Sequence, residues 1–383
     1  MVIVNNIFVT IIRMNKIYIL CNHFVYGTAI ANRLLAYARG IRKNGFSVEL
    51  IGLREFAPKD YVSEENICIR GNFATHFSNR YLCLMLSYFF VLKFLFFDLN
   101  KNSMVLLYGC REYLPLFAKF KKGKMFNEST EHPDVVTSKI VSTKSYNNAC
   151  KKLDGMFVIS RPLKRYFSEN GVKNIHIINM IVDKTRFDNI VINNCGFKYI
   201  AYCGNIWDDS KDGVSELLRA FAIYHKHFVD RKLYIAGPIK SQKQKKIYED
   251  FAFTNGISDS VIFLGAVSPN EMPNLLSNAE MLLLTRPNNK QAHYGFPTKL
   301  GEYLLSKRPV VVSRVGDIEA FLIDGLNAIL VQPDDVAEIA NKMIWISNNP
   351  LESNKLGIKG HECAISNFNN VTEVKKILHA FGL

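Results

Sequence analysis

Residues 293–314 read HYGFPTKLGEYLLSKRPVVVSR, and this stretch decides the fold. Gly295 marks a turn, because glycine reaches backbone angles closed to other residues. Pro297 suits the first position of a helix, where its missing N–H has no intrahelical partner to lose. Leu300, Tyr303 and Leu304 then recur at helical spacing. Lys307, Arg308 and Pro309 close that helix, and residues 310–312 read as a buried strand. A glycine turn, a helix start and a strand in quick succession form one step of an α/β sheet. The N–H groups of the first helical turn, with the helix dipole, make a site for an anion. Glu302 lies about one turn further in. A phosphate would repel its carboxylate, so the carboxylate needs a donating partner. A ribose diol is one, since each hydroxyl can donate to a carboxylate oxygen. Phosphate beside ribose means a nucleotide.

The rest of the chain continues the alternation. Strands are expected at 16–20, 47–52, 104–108, 155–160 and 175–178, with helices at 29–43 and 161–169. The second half repeats the pattern with strands at 199–203, 233–236, 261–264, 281–284 and 328–331, a helix at 213–224 and a last helix at 371–381. Alternating strands and helices imply parallel sheets, and 383 residues fit two domains. The boundary is expected in the polar stretch around Asn193 and Asn194, giving domains 1–187 and 188–368 and a final segment 369–383. The first βαβ step lacks GxGxxG, and no GKS or GKT follows Gly213, so neither a dinucleotide fingerprint nor a Walker A loop is present.

Several polar residues fall where strands should end, which is where such sheets bind ligands. Arg286 follows the 281–284 strand and suits a diphosphate or substrate clamp. Lys211 precedes a helix, where a cation is disfavoured by the dipole. Either it meets an anion, or it pairs with Asp208, Asp209 or Asp212. His132, in the run Glu128-Ser-Thr-Glu131-His132-Pro133, is either a ligand contact or a surface-loop histidine.

The net charge of +14 is unevenly placed: residues 1–187 hold 27 Lys and Arg against 13 Asp and Glu, and residues 188–383 hold 21 of each. A basic half suggests an anionic partner, such as nucleic acid, an anionic membrane or a diphosphate lipid, or else a solubilising surface. Aromatics beside the basic runs are not spaced as stacking platforms, which argues against nucleic acid. The eight cysteines lack a CxxC pair and fit a reducing, cytoplasmic setting. Residues 81–97 form an apolar run, shorter than the about 20 residues of a spanning helix. It reads as a buried helix or as one lying in a membrane interface. Residues 1–13 read as an extension from an upstream start or a short extra segment, with no signal-peptide cleavage site.

GFPTKLGEYL at 295–304, followed by RPVVVSRVGDIEAFL at 308–322, resembles the C-terminal signature of the family 4 glycosyltransferases, of the bacterial surface-polysaccharide type. The resemblance implies a GT-B fold: two Rossmann-like α/β domains facing across a cleft, with the last helix packing back on the first domain. It implies a hexosyltransferase using a nucleoside diphosphate sugar, with retention at the anomeric carbon and no metal or other cofactor. The acceptor would be a glycan or a lipid-linked acceptor in capsule or lipopolysaccharide synthesis, with the protein cytoplasmic or peripheral on the inner face of the plasma membrane. It implies catalytic roles for His132, Lys211 and Glu302. Donor contacts would come from Gly27, Gly204, Asn205, Lys211, Arg286, Tyr294, Gly295, Phe296, Pro297, Thr298, Lys299 and Glu302. The chain departs from the family in two places. Of the usual glutamate pair eight positions apart, the second matches Glu302 but the first falls on Tyr294, which leaves the donor sugar open. The usual basic residue after the glycine falls on Asn205. The alternatives are a sugar-nucleotide epimerase of the same fold and a non-catalytic anion-binding module. Transfer needs an acceptor, epimerisation does not, and a module consumes no nucleotide sugar.

Overall fold

Two parallel sheets with the same strand order organise the chain. The computed structural model describes residues 16–57, 67–136, 138, 140–192, 196–204, 206, 211, 213–239 and 241–383. The expectations for residues 1–13, Asn193, Asn194, Asn205, Asp208, Asp209 and Asp212 lie outside the described residues. One unit comprises Met1–Ile181 with Asn370–Leu383, and the other Val182–Asn369.

The first unit holds β1 (Lys16–Val25), β2 (Ser47–Ala57), β3 (Ile67–Gly71), β4 (Met104–Tyr108), β5 (Lys124–Ser129), β6 (Gly155–Val158) and β7 (Ile175–Ile177), in the order β3-β2-β1-β4-β5-β6-β7. Strands covered on both faces are near-continuous apolar runs, as in Met104–Tyr108. The strands β3 and β5 had no clear signature, because Lys124 and Asn127 interrupt one and Arg70 the other.

The Ala29–Lys43 helix opens with Thr28 accepting from the Ala31 N–H, and it buries Leu34, Leu35, Ala38 and Ile41. Gly40 faces the last helix, Asn370–Phe381: a Cβ there would strike the Asn370 carbonyl and sit 2.8 Å from Val374 Cγ2. That approach lets Val374, Ile377 and Phe381 join the core of the first unit. Arg33, on the same helix, makes a buried ion pair with Glu128 at the end of β5. Its guanidinium also donates to the carbonyls of Ile178 and Asn179, each at 3.1 Å. The Tyr37 hydroxyl donates to the same Glu128 oxygen at 2.8 Å.

The second unit holds β8 (Tyr199–Cys203), β9 (Lys232–Ala236), β10 (Val261–Gly265), β11 (Met281–Leu284), β12 (Val310–Ser313) and β13 (Ile329–Val331), in the order β10-β9-β8-β11-β12-β13. The first strand of each unit lies inside its sheet, with the chain running outward to either side. This produces a topological switch point, between β1 and β4 in one unit and between β8 and β11 in the other.

Two expectations need correction. The division falls between Ile181 and Val182, before the expected 187/188 boundary. The Val182 N–H donates to the Phe368 carbonyl at 2.8 Å and Val182 bridges to Asn369, which draws residues 182–187 into the second unit. The 81–97 run is not a wholly buried helix. The Arg80–Lys93 helix buries Cys83, Ser87, Phe90 and Val91 and exposes Tyr81, Met85 and Phe89.

Replacing glycine by alanine in a helix normally gains about 1 kcal/mol. At Gly40 the collision with Asn370 reverses the sign. Gly40→Ala is expected to lower stability by about 1–2 kcal/mol net, read as a lower urea midpoint with an unchanged denaturant slope.

Candidate functional site

Most of the candidate residues gather at the C-terminal ends of β8, β9, β11 and β12 in the second unit. The crevice opens because β8 and β11 pair only over Ile200 with Met281 and Ala201 with Leu282, and no pairing is made beyond. Gly204 follows β8 directly and donates to the Ala236 carbonyl at 2.8 Å. The Gly204 carbonyl sits where a Cβ of Gly237 would be, and Gly237 has φ +132°, so only glycine fits that corner. Lys299 crosses over Gly204: a Cβ on Gly204 would collide with its ammonium end. The Lys299 Nζ donates to the Tyr202 hydroxyl at 2.9 Å and stands 4.6 Å from the Tyr202 ring centroid. The space over Gly204 is thus taken by the Lys299 ammonium and its last methylene, which a side chain on residue 204 would displace.

On the β11 side, the Gly213 N–H donates to the Thr285 carbonyl at 2.7 Å, and the Thr285 hydroxyl donates to the Gly213 carbonyl at 2.9 Å. This clasp holds the start of the Val214–His225 helix against the end of β11. Arg286 is buried; its N–H donates to Ser313 Oγ at 2.9 Å, and its Nε lies 3.5 Å from the Lys211 carbonyl. Arg286 and Lys211 therefore share one wall of the crevice, and Lys299 forms another.

Glu302 lies in the first turn of the Lys299–Leu305 helix. Its carboxylate forms an ion pair with Arg186, which also donates to the Pro269 carbonyl at 3.1 Å. Arg186 belongs to a short 3-10 turn, Lys184–Phe187, begun by Asp183 accepting from Thr185. The Glu302 carboxylate is thus given a fixed cation. One residue further on, the Tyr303 hydroxyl accepts from the Cys203 N–H at 2.6 Å and donates to the Cys203 carbonyl at 3.3 Å. Burial pushes the Cys203 thiol up to about 12, so it stays neutral.

The turn at 295–298 differs from expectation in three ways. Gly295 has φ −84° and ψ 179°, extended backbone open to any residue. The left-handed glycine of this corner is Gly316, φ +59°, whose Cβ would meet the Ala292 carbonyl at 2.8 Å and the Gly295 carbonyl at 3.4 Å. Pro297 precedes the helix and does not open it: the Leu300 N–H bonds back to the Pro297 carbonyl at 3.1 Å, and Thr298 stands at the cap without a side-chain bond. Phe296 is buried against Phe321 and Phe368, at 5.6 and 5.9 Å between centroids, which makes its side chain a core contact. Tyr294 ends the Lys290–Tyr294 helix, half-buried, with its ring edge-on to His293 at 5.2 Å.

Two candidates belong to the first unit. Gly27 is exposed at φ +86°, in the turn between β1 and the Ala29–Lys43 helix. His132 follows β5 and is buried, its ring edge-on to Tyr166 at 4.3 Å. Its Nδ1 stands 3.2 Å from the Asp134 N–H and 3.5 Å from the Asp134 carboxylate. Arg111 builds this loop, donating to the carbonyls of Pro133 at 2.7 Å and Val141 at 3.3 Å and to the Thr143 hydroxyl at 3.2 Å. Among the described residues no group of three or more His, Cys, Asp or Glu is arranged to hold a metal ion.

Sequence reading missed Arg186, the Tyr303 hydroxyl, Tyr202 and Arg111. Arg186 and Glu302 lie 116 positions apart, and no local pattern links them.

Known proteins resemble this chain. Residues 197–349 match the family model of the group 1 glycosyl transferases. An uncharacterized glycosyltransferase of Methanocaldococcus jannaschii is 23% identical over 218 residues, which are 57% of this chain and 56% of that protein, so the match spans little more than half of that relative. Among solved structures, Anabaena HepE in complex with UDP and glucose superposes with a TM-score of 0.75 at 14% identity, covering 96% of this chain and 99% of that one. Sucrose-phosphate synthase of Thermosynechococcus elongatus gives 0.74 at 15% identity, covering 96% and 98%. At such identities the likeness establishes the fold, and the fold is GT-B.

Tyr303→Phe tests how the helix is fastened to β8. Without the hydroxyl, the Cys203 N–H and carbonyl are left buried and unsatisfied, which costs about 1–3 kcal/mol. The measurement is the urea unfolding midpoint, and a change below that range would show that another group takes over.

Proposed function

We propose that the chain is a retaining glycosyltransferase that moves a sugar from a nucleoside diphosphate sugar to a glycan or lipid-linked acceptor in surface-polysaccharide synthesis. One observation carries the reading. Arg286 meets the Lys211 carbonyl after β11, Lys299 crosses Gly204 after the neighbouring β8, and Glu302, paired with Arg186, stands on the same helix as Lys299. In this reading the cations neutralise the diphosphate. Glu302, held by Arg186, accepts hydrogen bonds from the ribose hydroxyls. Gly204 leaves room for the Lys299 ammonium beside β8, and Gly237 leaves room for the Gly204 carbonyl. A uridine diphosphate sugar is the first donor to try, since the similar Anabaena HepE has been seen with UDP and with UDP-glucose. Tyr294, where the family's sugar-contacting glutamate would stand, leaves the sugar unassigned.

The reaction breaks the bond from the anomeric carbon to the diphosphate oxygen and forms one to an acceptor hydroxyl oxygen on the same face. The acceptor proton passes to the departing phosphate. Charge accumulates on the diphosphate in the transition state, so cations fixed around it are where the protein lowers the barrier most. No metal is required in this reading, because lysine and arginine do that work. His132, near the end of β5, is proposed to contact the donor sugar.

A thermal-shift panel of nucleoside diphosphates and their sugars, run with EDTA, tests the reading directly. A ligand present at 100 times its dissociation constant stabilises the fold by about 2.7 kcal/mol. A panel in which no nucleoside diphosphate raises the melting point removes the proposal. Glu302→Gln should keep the melting point within a few degrees and weaken nucleotide binding by about 1–3 kcal/mol. Unaltered affinity would make the Arg186 pair a purely structural contact. Lys211→Ala should slow turnover by on the order of a hundredfold, and normal turnover would assign Lys211 to pairing with its acidic neighbours.

A further inference from the structure

The Arg80–Lys93 helix continues through one π-helical turn, Phe94–Asp98, so that 19 residues run unbroken. At 1.5 Å per residue this rod is about 28 Å long. Its inner face is fastened to the first sheet. The Ser87 hydroxyl donates to the Leu53 carbonyl at 2.6 Å, the Tyr88 hydroxyl to the Glu112 carbonyl at 2.9 Å, and Phe94 meets Tyr18 edge-on at 5.3 Å. Those contacts hold the rod along its unit, although by length and apolar composition it could cross a bilayer.

The outer face is apolar and exposed. Tyr81 (84%), Met85 and Phe89 (60%) recur at i, i+4 and i+8, and Phe96 and Phe97 (81%) extend the stripe past Lys93. A continuous apolar patch of this kind marks an interaction site on a soluble domain. Its rim identifies the partner. Lys122 Nζ stands 5.5 Å from the Phe96 ring centroid and donates to the Phe96 carbonyl at 3.0 Å. Phe96 touches the Phe120 ring at 5.2 Å, and Lys119 Nζ is 5.2 Å from the Phe120 centroid. The basic run at 119–124 therefore divides. Lys121 pairs with Asp154 at 2.6 Å and Lys124 donates to the Phe381 carbonyl at 2.9 Å, whereas Lys119 and Lys122 sit beside the aromatic stripe. Asp98 is the acidic residue on the rod itself.

We infer that the face made by Tyr81, Phe89, Phe96 and Phe97, with Lys119 and Lys122 at its edge, seats on an anionic phospholipid surface. The helix lies flat, its aromatic rings enter the boundary of headgroup and acyl chain, and the lysines stay among the phosphates. Charge complementarity favours lipid over another protein: residues 1–187 carry the whole excess of 27 basic over 13 acidic side chains. The inference stands on the first unit alone and does not depend on glycosyl transfer.

The full chain is tested by cosedimentation with vesicles of phosphatidylcholine alone and of phosphatidylcholine mixed with phosphatidylglycerol. Binding is expected on the mixed vesicles, falling as salt rises. Lys119→Glu with Lys122→Glu should lower the partition coefficient at least about tenfold, and Phe89→Ser with Phe97→Ser should lower it by a similar factor. These side chains are exposed, so the melting point should hold in both variants. Both natural tryptophans lie beyond residue 187, so Phe97→Trp adds a fluorophore to a segment that has none. Its emission should shift to the blue on anionic vesicles and be quenched by brominated acyl chains. Equal binding to neutral and anionic vesicles, no binding to either, or wild-type binding by both double variants would overturn the inference. So would self-association that Phe97→Ser abolishes, which would assign the face to a second copy of the chain.

Discussion

The candidate site of the second unit depends on one tyrosine hydroxyl. Past Ala201 and Leu282, β8 and β11 no longer pair, so the backbone at Cys203 faces a widening gap. A buried peptide group in that position must find a partner. Tyr303 fills the gap, meeting both the N–H and the carbonyl of Cys203. The same contact pins the Lys299–Leu305 helix across the mouth of the crevice. Lys299 and Glu302 flank the pinned turn, so their positions follow from it: the lysine crosses Gly204 and the glutamate meets Arg186. The crevice exists because two strands stop pairing, and it stays open because a side chain, not a third strand, satisfies the exposed peptide.

What could be read from the chain was what is local. The Lys299–Leu305 helix and its following strand were legible because Leu300, Tyr303 and Leu304 recur at helical spacing and a lysine, an arginine and a proline end the run. Arg286 was legible as a strand-end cation. The partners of these residues were not, because they come from far along the chain: Arg186 reaches Glu302 over 116 positions, and Arg33 reaches Glu128 over 95. Gly295 was misread for a related reason. The corner does need a left-handed glycine, but the crowding lies at Gly316, where a second loop passes under the carbonyls of Ala292 and Gly295. The edge of the first unit was also obscure, since a hydrogen bond from Val182 to Phe368 decides it and no composition change marks it.

Arg186 alters how the charge of the site is understood. A lone carboxylate within a turn of an anion site would weaken the attraction of nearby cations for phosphate. At an effective dielectric of 20, a unit charge 4 Å away acts with about 4 kcal/mol. In the proposed reading, Arg186 offsets Glu302 and so would let the carboxylate accept hydrogen bonds without cancelling the positive potential of Lys299 and Arg286. A glutamate can then stand on the same short helix as the lysine that crosses Gly204.

The two units therefore handle charge in opposite ways. In the second, acidic and basic residues are equal in number over 182–369, 21 of each, and specific cations are positioned by hydrogen bonds to backbone and tyrosine. In the first, part of the basic excess is consumed internally: Arg33 neutralises Glu128, Arg111 is spent on loop carbonyls, and Lys121 pairs with Asp154. Lys119 and Lys122 are different: among the described residues they meet aromatic rings and a carbonyl at the border of an exposed apolar stripe. Cations with no carboxylate partner among the described residues, set beside exposed aromatics, would meet both needs at once on the proposed surface, anionic outside and hydrocarbon beneath. Water meets only the first of those needs, and a protein partner would have to supply both chemistries in the same arrangement.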